Sequence, residues 1–355
     1  MLFSWVVALG LLPIPQLADD VFAQAPDSVR AERLCGGPII VPELHPTIGT
    51  NIQGPSLIRV PEWIDDPLGR YYLYFADHKG SYIRLAYADS LCGPWRIHPP
   101  GSLQLENSRF PTEPPEVSDE DEERIRVIAE RIQARTGRST NLHDPREEAT
   151  TPHIASPDVH VRADGRQILM YFHGLEGVAH QATRVAVSGD GIHFEALPEI
   201  LGRQYFRAFS HGGYTYALAQ PGQLYRSRDP LRGFEEGPLL LDPNTRHSAV
   251  LKRENILYVF WTRIGDEPEL IYASTIDLQR EWNAWEENSS TEVLRPELPW
   301  EGSDEPLAPS SPGTAPGRVN ELRDPAIYEE DGRFFLLYAV AGESGIAIAQ
   351  LHFRQ

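Results

Sequence analysis

Four carboxylic acids sit where apolar runs meet polar residues. They are Asp77 in Phe75-Ala76-Asp77-His78-Lys79, Asp158 in Ser156-Pro157-Asp158-Val159, and Glu321 with Asp324 in Asn320-Glu321-Leu322-Arg323-Asp324-Pro325. Carboxyls that face one another across a pocket can divide acid and base work, one giving a proton to a leaving oxygen while the other activates water. Arg323 beside Asp324 would hold a neighbouring acid ionised, and a desolvated partner would keep its proton. Asp-Pro at a strand start is also ordinary turn chemistry. For Asp158 the two readings balance; the Glu321 and Arg323 that precede Asp324 favour function there. His78, Lys79, His173, Arg207, His247, Arg263 and Arg323 supply donors and cations to hold a substrate. His173 and His160 also read as core polar groups, and neither has metal-ligand spacing, so the residues themselves assign no metal site.

These residues need a scaffold that gathers them, and the sequence repeats one. An apolar strand, a tight turn and an aromatic-rich return strand recur in five copies. The return strands are Tyr71-Tyr72-Leu73-Tyr74-Phe75, Ile168-Leu169-Met170-Tyr171-Phe172, Tyr214-Thr215-Tyr216-Ala217-Leu218, Ile256-Leu257-Tyr258-Val259-Phe260 and Phe334-Phe335-Leu336-Leu337-Tyr338. Asp164-Gly165 and Asp331-Gly332 are hairpin signals because both residue types tolerate a positive φ. A third apolar run follows each pair. A fourth follows in the first four copies, at Trp95-Arg96-Ile97, Phe194-Glu195-Ala196-Leu197, Pro238-Leu239-Leu240-Leu241 and Trp282-Asn283-Ala284-Trp285. Four antiparallel strands per repeat predict an all-β, five-bladed β-propeller. The fifth copy has no room for a fourth strand. Gly37-Pro38-Ile39-Ile40-Val41 is expected to complete it and close the ring, giving one domain over residues 26–355. In such a ring the first strand of each blade lines the axis. The strand starts carrying Ser56, Asp158, Arg207, His247 and Asp324 then converge with the strand ends carrying Asp77, His78, Lys79, His173, Arg263 and Glu343.

Two insertions break the period. Residues 106–152 hold an acidic run after Ser118 and then Ile125, Ile128 and Ile132 on one face, which predicts a capped helix. Residues 287–319, rich in Pro, Gly and Ser, predict an ordered loop or lid. A net charge of −19 argues against a nucleic-acid partner. Residues 2–12 are an apolar core and Ala23-Gln24-Ala25 a small-x-small site, so residues 1–25 read as a signal peptide and the protein as secreted or periplasmic. No stable membrane association is expected after cleavage. Cys35 and Cys92 are the chain's two cysteines, and they form either one disulfide or two free thiols.

Ser-Pro-Asp-Val in the second copy, Arg-His-Ser-Ala-Val in the fourth and Arg-Asp-Pro in the fifth resemble the five-bladed propeller glycosidases, the family 43 arabinanase and xylosidase group with related sucrose- and mannoside-acting families. The resemblance implies a hydrolase that cleaves glycosidic bonds in a carbohydrate substrate by carboxylate chemistry in an axial pocket. It also implies an inverting mechanism and a central calcium or other cation near a Gly-His-x-Ser stretch, of which His247-Ser248 matches part. Two departures stand out. The family's blade-one Asp-Pro-Ser reads Gly54-Pro55-Ser56 here, and its blade-three acid falls in the Phe206-Arg207 region. Glu236-Gly237-Pro238 precedes an outer strand, so the acid role is not carried onto it. The catalytic acids then become Asp158 and Asp324, with Glu321 or Asp77 as alternatives. The other reading is a propeller that binds carbohydrate, or acts as a scaffold, without cleaving. Arg207, Arg263, Arg323, His78 and Lys79 in so acidic a chain point towards an anionic sugar.

Overall fold

A computed structural model describes residues 29–136 and 144–353. The leader over residues 1–25 lies outside the described residues. Blade one consists of β2 (Gln53–Arg59), β3 (Tyr71–Ala76), β4 (Tyr82–Ala88) and β5 (Arg96–Gln104), and β1 (Val29–Arg33) precedes it. The first insertion follows as α1 (Asp119–Thr136) and α2 (Pro145–Thr150). Blade two holds β6 (Ile154–Arg162), β7 (Gln167–Gly177), β8 (His180–Ser188) and the two-residue strands β9 (Glu195–Ala196) and β10 (Gly202–Arg203). Blade three is β11 (Arg207–His211), β12 (Tyr214–Ala219), β13 (Gln223–Ser227) and β14 (Glu235–Leu239). Blade four is β15 (Thr245–Arg253), β16 (Ile256–Arg263), β17 (Ile271–Asp277) and β18 (Thr291–Leu294). Blade five is β19 (Arg323–Glu330), β20 (Arg333–Ala339) and β21 (Ile346–Phe353), with β1 as its outer strand. The chain is an all-β five-bladed propeller.

The period-two alternation of the strands explains why the blades pack as a ring. In β3, Tyr71, Leu73 and Phe75 face blade five, while Tyr72, Tyr74 and Ala76 face blade two. In β7, Ile168, Met170 and Phe172 face blade one, and Leu169 and Tyr171 face blade three. Five apolar wedges result, one between each pair of neighbouring blades. Such central strands are buried on both faces and therefore read as continuous apolar runs.

Two strand expectations are corrected. The ring is closed by Val29–Arg33, which pairs antiparallel with β21 from Val29↔Phe353 to Arg33↔Ala349, and not by residues 37–41. Pro38 has no N–H for a ladder, and Ile39 and Ile40 are buried in the wedge between blades five and one, their N–H groups both donating to Ile346 O. In blade four, Trp282–Ala284 is a 3-10 turn and the outer strand is β18. Residues three apart eclipse in that turn, so Trp282 and Trp285 both reach Tyr216 of blade three, with ring centroids 6.3 and 4.8 Å away. A strand would have sent them to opposite faces.

Cys35 and Cys92 form a disulfide across a sequence separation of 57, tying the closing segment to blade one. Replacing both by serine is expected to cost about 2–4 kcal/mol, mainly by freeing the unfolded chain; chemical denaturation of the variant beside wild type measures it. The Ser118 cap is present, its Oγ accepting from the Asp121 N–H at 3.1 Å while Asp121 accepts from the Ser118 N–H and O–H. Among the described residues no helix is long and apolar enough to cross a membrane.

Candidate active site

At the starts of β6, β15 and β19 and near that of β2 the ladder slips by a bulge. The slip leaves Gly54, Ser156 and Asp324 at φ of 63°, 48° and 48°, and Tyr205, just before β11, at 65°. Left-handed backbone costs most non-glycine residues about 1–2 kcal/mol, whereas aspartate tolerates it, as Asp66 and Asp331 do in turns of this chain. Gly54 has a steric reason as well. A Cβ at that position would lie 2.9 Å from Ser156 Cα, so blade one cannot carry an acid there without displacing blade two.

The bulges aim their side chains at one end of the axis, beneath a cavity of about 720 Å³. Its floor is His78, Tyr205, Arg246 and His247, and Ile125 and Ile128 of α1 form part of one wall. Ser311, Pro312 and Gly313 of the second insertion cross its edge. The strap is held from below: Arg246 donates to Ser311 O at 2.5 Å, Arg323 donates to Gly313 O at 3.1 Å, and the Ala315 N–H donates to Glu343 at 3.2 Å.

Under this floor lies a buried layer of acids and guanidiniums. Arg323 is fully enclosed and donates to Glu321 at 2.7 Å and Glu343 at 2.9 Å, with Glu269 4.0 Å away. Arg246 grips Glu269 through Nε at 2.9 Å and Nη2 at 2.9 Å. Glu343 also accepts from Asn51 at 2.6 Å and lies 3.1 Å from His78 Nδ1. Asp324 is fully buried; His247 Nδ1 stands 3.0 Å from its Oδ1 without hydrogen-bond alignment, and neither carboxyl oxygen has a hydrogen-bond partner. Two imidazoles on the cavity floor are thus each backed by a buried carboxyl.

Environment drives these two carboxyls apart. Burial, reinforced by Glu343, raises the Asp324 pKa to about 8, so it keeps its proton at neutral pH. Burial opposes ionisation of Glu343 too, but His78, Arg323 and Asn51 outweigh it and hold this acid well below its usual range. Burial, then Arg246, pushes His247 well below the usual imidazole value. Burial also raises Glu321, incompletely offset by Arg323, while Arg246 and Arg323 overcome burial at Glu269 and lower it.

The remaining sequence candidates have other partners. Asp158 accepts from His160 and from the Ala208 N–H, both at 2.7 Å, and lies 3.9 Å from Arg207, which donates to Pro157 O and Ser248 O. That set joins blades two, three and four along the axis, and Asp158 does not line the cavity. Asp77 accepts from the Lys79 N–H at 3.0 Å and from Arg84 at 3.3 Å, shaping its hairpin. Lys79 reaches Glu148 of α2 at 3.0 Å. His173 is buried between His153 and Tyr205, with ring centroids 5.8 and 4.2 Å away, and burial followed by His153 keeps it well below the usual range. Arg263 donates to Asp266 at 2.8 Å at the rim of blade four. Glu236, to which no acid role was transferred, lines the cavity and accepts from Tyr225 Oη at 3.0 Å.

Strand position in the sequence places Glu343 at a converging strand end and Arg246 in the loop before a strand start, without giving either a role, and it does not single out Glu269. Glu269 and Glu321 meet in a single parallel bridge between blades four and five, which no local spacing announces. The axial residues do not suit calcium, which takes six to eight oxygen ligands. Guanidiniums already occupy Glu269, Glu321 and Glu343, and no group of three or more potential metal ligands exists among the described residues.

Solved structures to which this chain is similar include glycoside-active enzymes. A family 130 glycoside hydrolase that targets β-1,2-mannosidic linkages in Candida mannan superposes with a TM-score of 0.54, at 11% identity over 91% of this chain and 94% of that one. A family 43 β-xylosidase/α-arabinofuranosidase from a compost metagenome, solved with xylotriose, gives 0.51 at 10% identity over 91% and 94%. An endo-1,4-β-xylanase of Bacteroides thetaiotaomicron gives 0.51 at 11% identity over 88% and 90%. Identities this low establish a common fold. No protein-family model matches the chain. In sequence it is 34% identical over 327 residues to "Uncharacterized protein R118" of Acanthamoeba polyphaga mimivirus, covering 85% of this chain and 83% of the viral protein. The chain therefore belongs to the family of that mimivirus protein.

Proposed function

We propose that the protein cleaves a glycosidic bond of an oligo- or polysaccharide bound in the axial cavity, with His247 and His78 as the groups that touch substrate. One observation carries this reading: two cavity-lining imidazoles are each backed by a buried carboxyl, and the carboxyls prefer opposite protonation states. Groups whose environments separate their pKa values are matched to acid and base roles. The Asp324–His247 pair carries the proton delivered to the leaving oxygen as its bond to the anomeric carbon breaks. His78, oriented by ionised Glu343, takes a proton from the water whose oxygen bonds to that carbon. One water is consumed, and the proton gained equals the proton given.

The enclosure of Asp324 and Glu343 supports a second reading, carbohydrate binding without cleavage, because a hydrolytic carboxylate would ordinarily touch its substrate. A pH–rate profile separates the two. If the proton stored at Asp324 is used, the rate falls as pH rises through about 8, and the Asp324→Asn variant lacks that limb. A flat profile over that range overturns the acid role. The Cys35–Cys92 disulfide supports work in an oxidising compartment, in line with export.

A further inference from the structure

Arg207, Arg263, Arg323, His78 and Lys79, the cations that suggest an acidic sugar in the sequence, each have a carboxylate of the chain within 4.0 Å. Cations without that compensation occur elsewhere. A cleft of about 570 Å³ opens between blades two and three, at the other end of the propeller from the axial cavity. Strand direction gives the placement: Arg162 ends β6, His211 ends β11 and Lys252 is the penultimate residue of β15.

His160, Arg162, Arg228 and Lys252 line this cleft, and Asp164 is its one lining carboxylate. Asp164 accepts from Arg162 at 3.0 Å and its side chain is 72% exposed, so water screens much of its charge. Among the described residues Arg228 and Lys252 have no acidic partner. Arg228 is nonetheless positioned, its guanidinium lying 4.3 Å from the centroid of the Tyr214 ring, which also lines the cleft. His160 adds no net charge, because Asp158 lies 2.7 Å from it. A concavity that carries uncompensated cations, here Arg228 and Lys252, focuses potential on an incoming counter-ion, and it does so in a chain of net charge −19.

We propose that this cleft is a second, non-catalytic site for an oxyanion-bearing ligand, the carboxylate or sulfate of an acidic saccharide or a free oxyanion. Arg228 and Lys252 contact the anion, and Tyr214 positions Arg228. The site is independent of the axial chemistry. Calorimetric titration of the whole protein at low ionic strength with tetragalacturonate, a heparin-derived tetrasaccharide and sodium sulfate tests it. At least one of the three binds with one-to-one stoichiometry. Arg228→Glu and Lys252→Glu each weaken it about tenfold or more, equivalent to about 1.4 kcal/mol. Added salt weakens it as well, while His247→Ala in the axial cavity leaves it unchanged. Saccharide binding without sulfate binding identifies an acidic sugar as the ligand, and sulfate binding alone identifies a free oxyanion. Failure of all three to bind, or equal binding by the charge-reversed variants, overturns the proposal.

Discussion

Replacing Asp324 with asparagine is expected to lower glycoside turnover about 10²- to 10⁴-fold, the range seen when a positioned proton donor is lost. The expectation rests on three features of one residue: a fully buried carboxyl, a left-handed backbone in a strand-start bulge, and His247 Nδ1 at 3.0 Å. Asparagine preserves the shape and removes the titratable proton. At pH 7 the folded carboxyl keeps its proton while the unfolded chain ionises it, so asparagine removes that linkage cost and is not expected to destabilise the fold; lost turnover then cannot be ascribed to unfolding. The stability profile supplies an independent readout. The folded pKa of Asp324, about 8, lies above its unfolded value. Its contribution is therefore fully present below the unfolded pKa and is lost as pH rises through about 8. The asparagine variant should lack that decline, which runs from the unfolded pKa up to about 8. Denaturant midpoints of both proteins between pH 5 and 9 would show it, and parallel curves would mean that Asp324 is ionised in the fold.

The largest stability effect is expected at Arg323. Its guanidinium is completely buried and serves Glu321, Glu343 and Glu269, while Glu269 retains Arg246. Arg323→Met keeps the bulk, leaves Glu321 without its principal counter-ion and leaves Glu343 to His78 and Asn51. Removing one member of a buried ion pair costs about 3–5 kcal/mol. The variant should recover part of the loss on acidification, as the stranded carboxyls take up protons. Glu343 runs the opposite way in wild type: its depressed pKa makes its contribution present above the unfolded pKa and lost as pH falls through the folded value. Thermal unfolding of both proteins at pH 5 and pH 7 distinguishes these slopes. An Arg323→Met protein as stable as wild type at pH 7 would refute the counter-ion role.

The ring was legible because each blade must bury both faces, and that requirement writes aromatic runs between turn residues in every copy. Where two structures can bury the same residues, local pattern did not choose between them. The Trp282 to Trp285 segment reads as a strand by composition, but the three-residue spacing of its indoles suits a tight turn against Tyr216. Ile39 and Ile40 look like a closing strand and act as a plug, whereas the less apolar Val29–Arg33 makes the ladder. Asp324, His247 and His78 were legible as mouth residues from strand position. Their partners were not. Glu343 carried no distinguishing motif, and Glu269 joins the site only through a bridge between two blades. Arg207 and Asp158, equally prominent in sequence, neutralise each other within the fold.

The most direct test of the axial site is product analysis. Purified wild-type, Asp324→Asn and His247→Ala proteins would be incubated with a panel of oligosaccharides and the released sugars separated and quantified. The account predicts product from at least one oligosaccharide with wild type and a loss of about 10²-fold or more in both variants. Saccharide binding in the axial cavity with no product from wild type, or product formed equally by all three proteins, would contradict it.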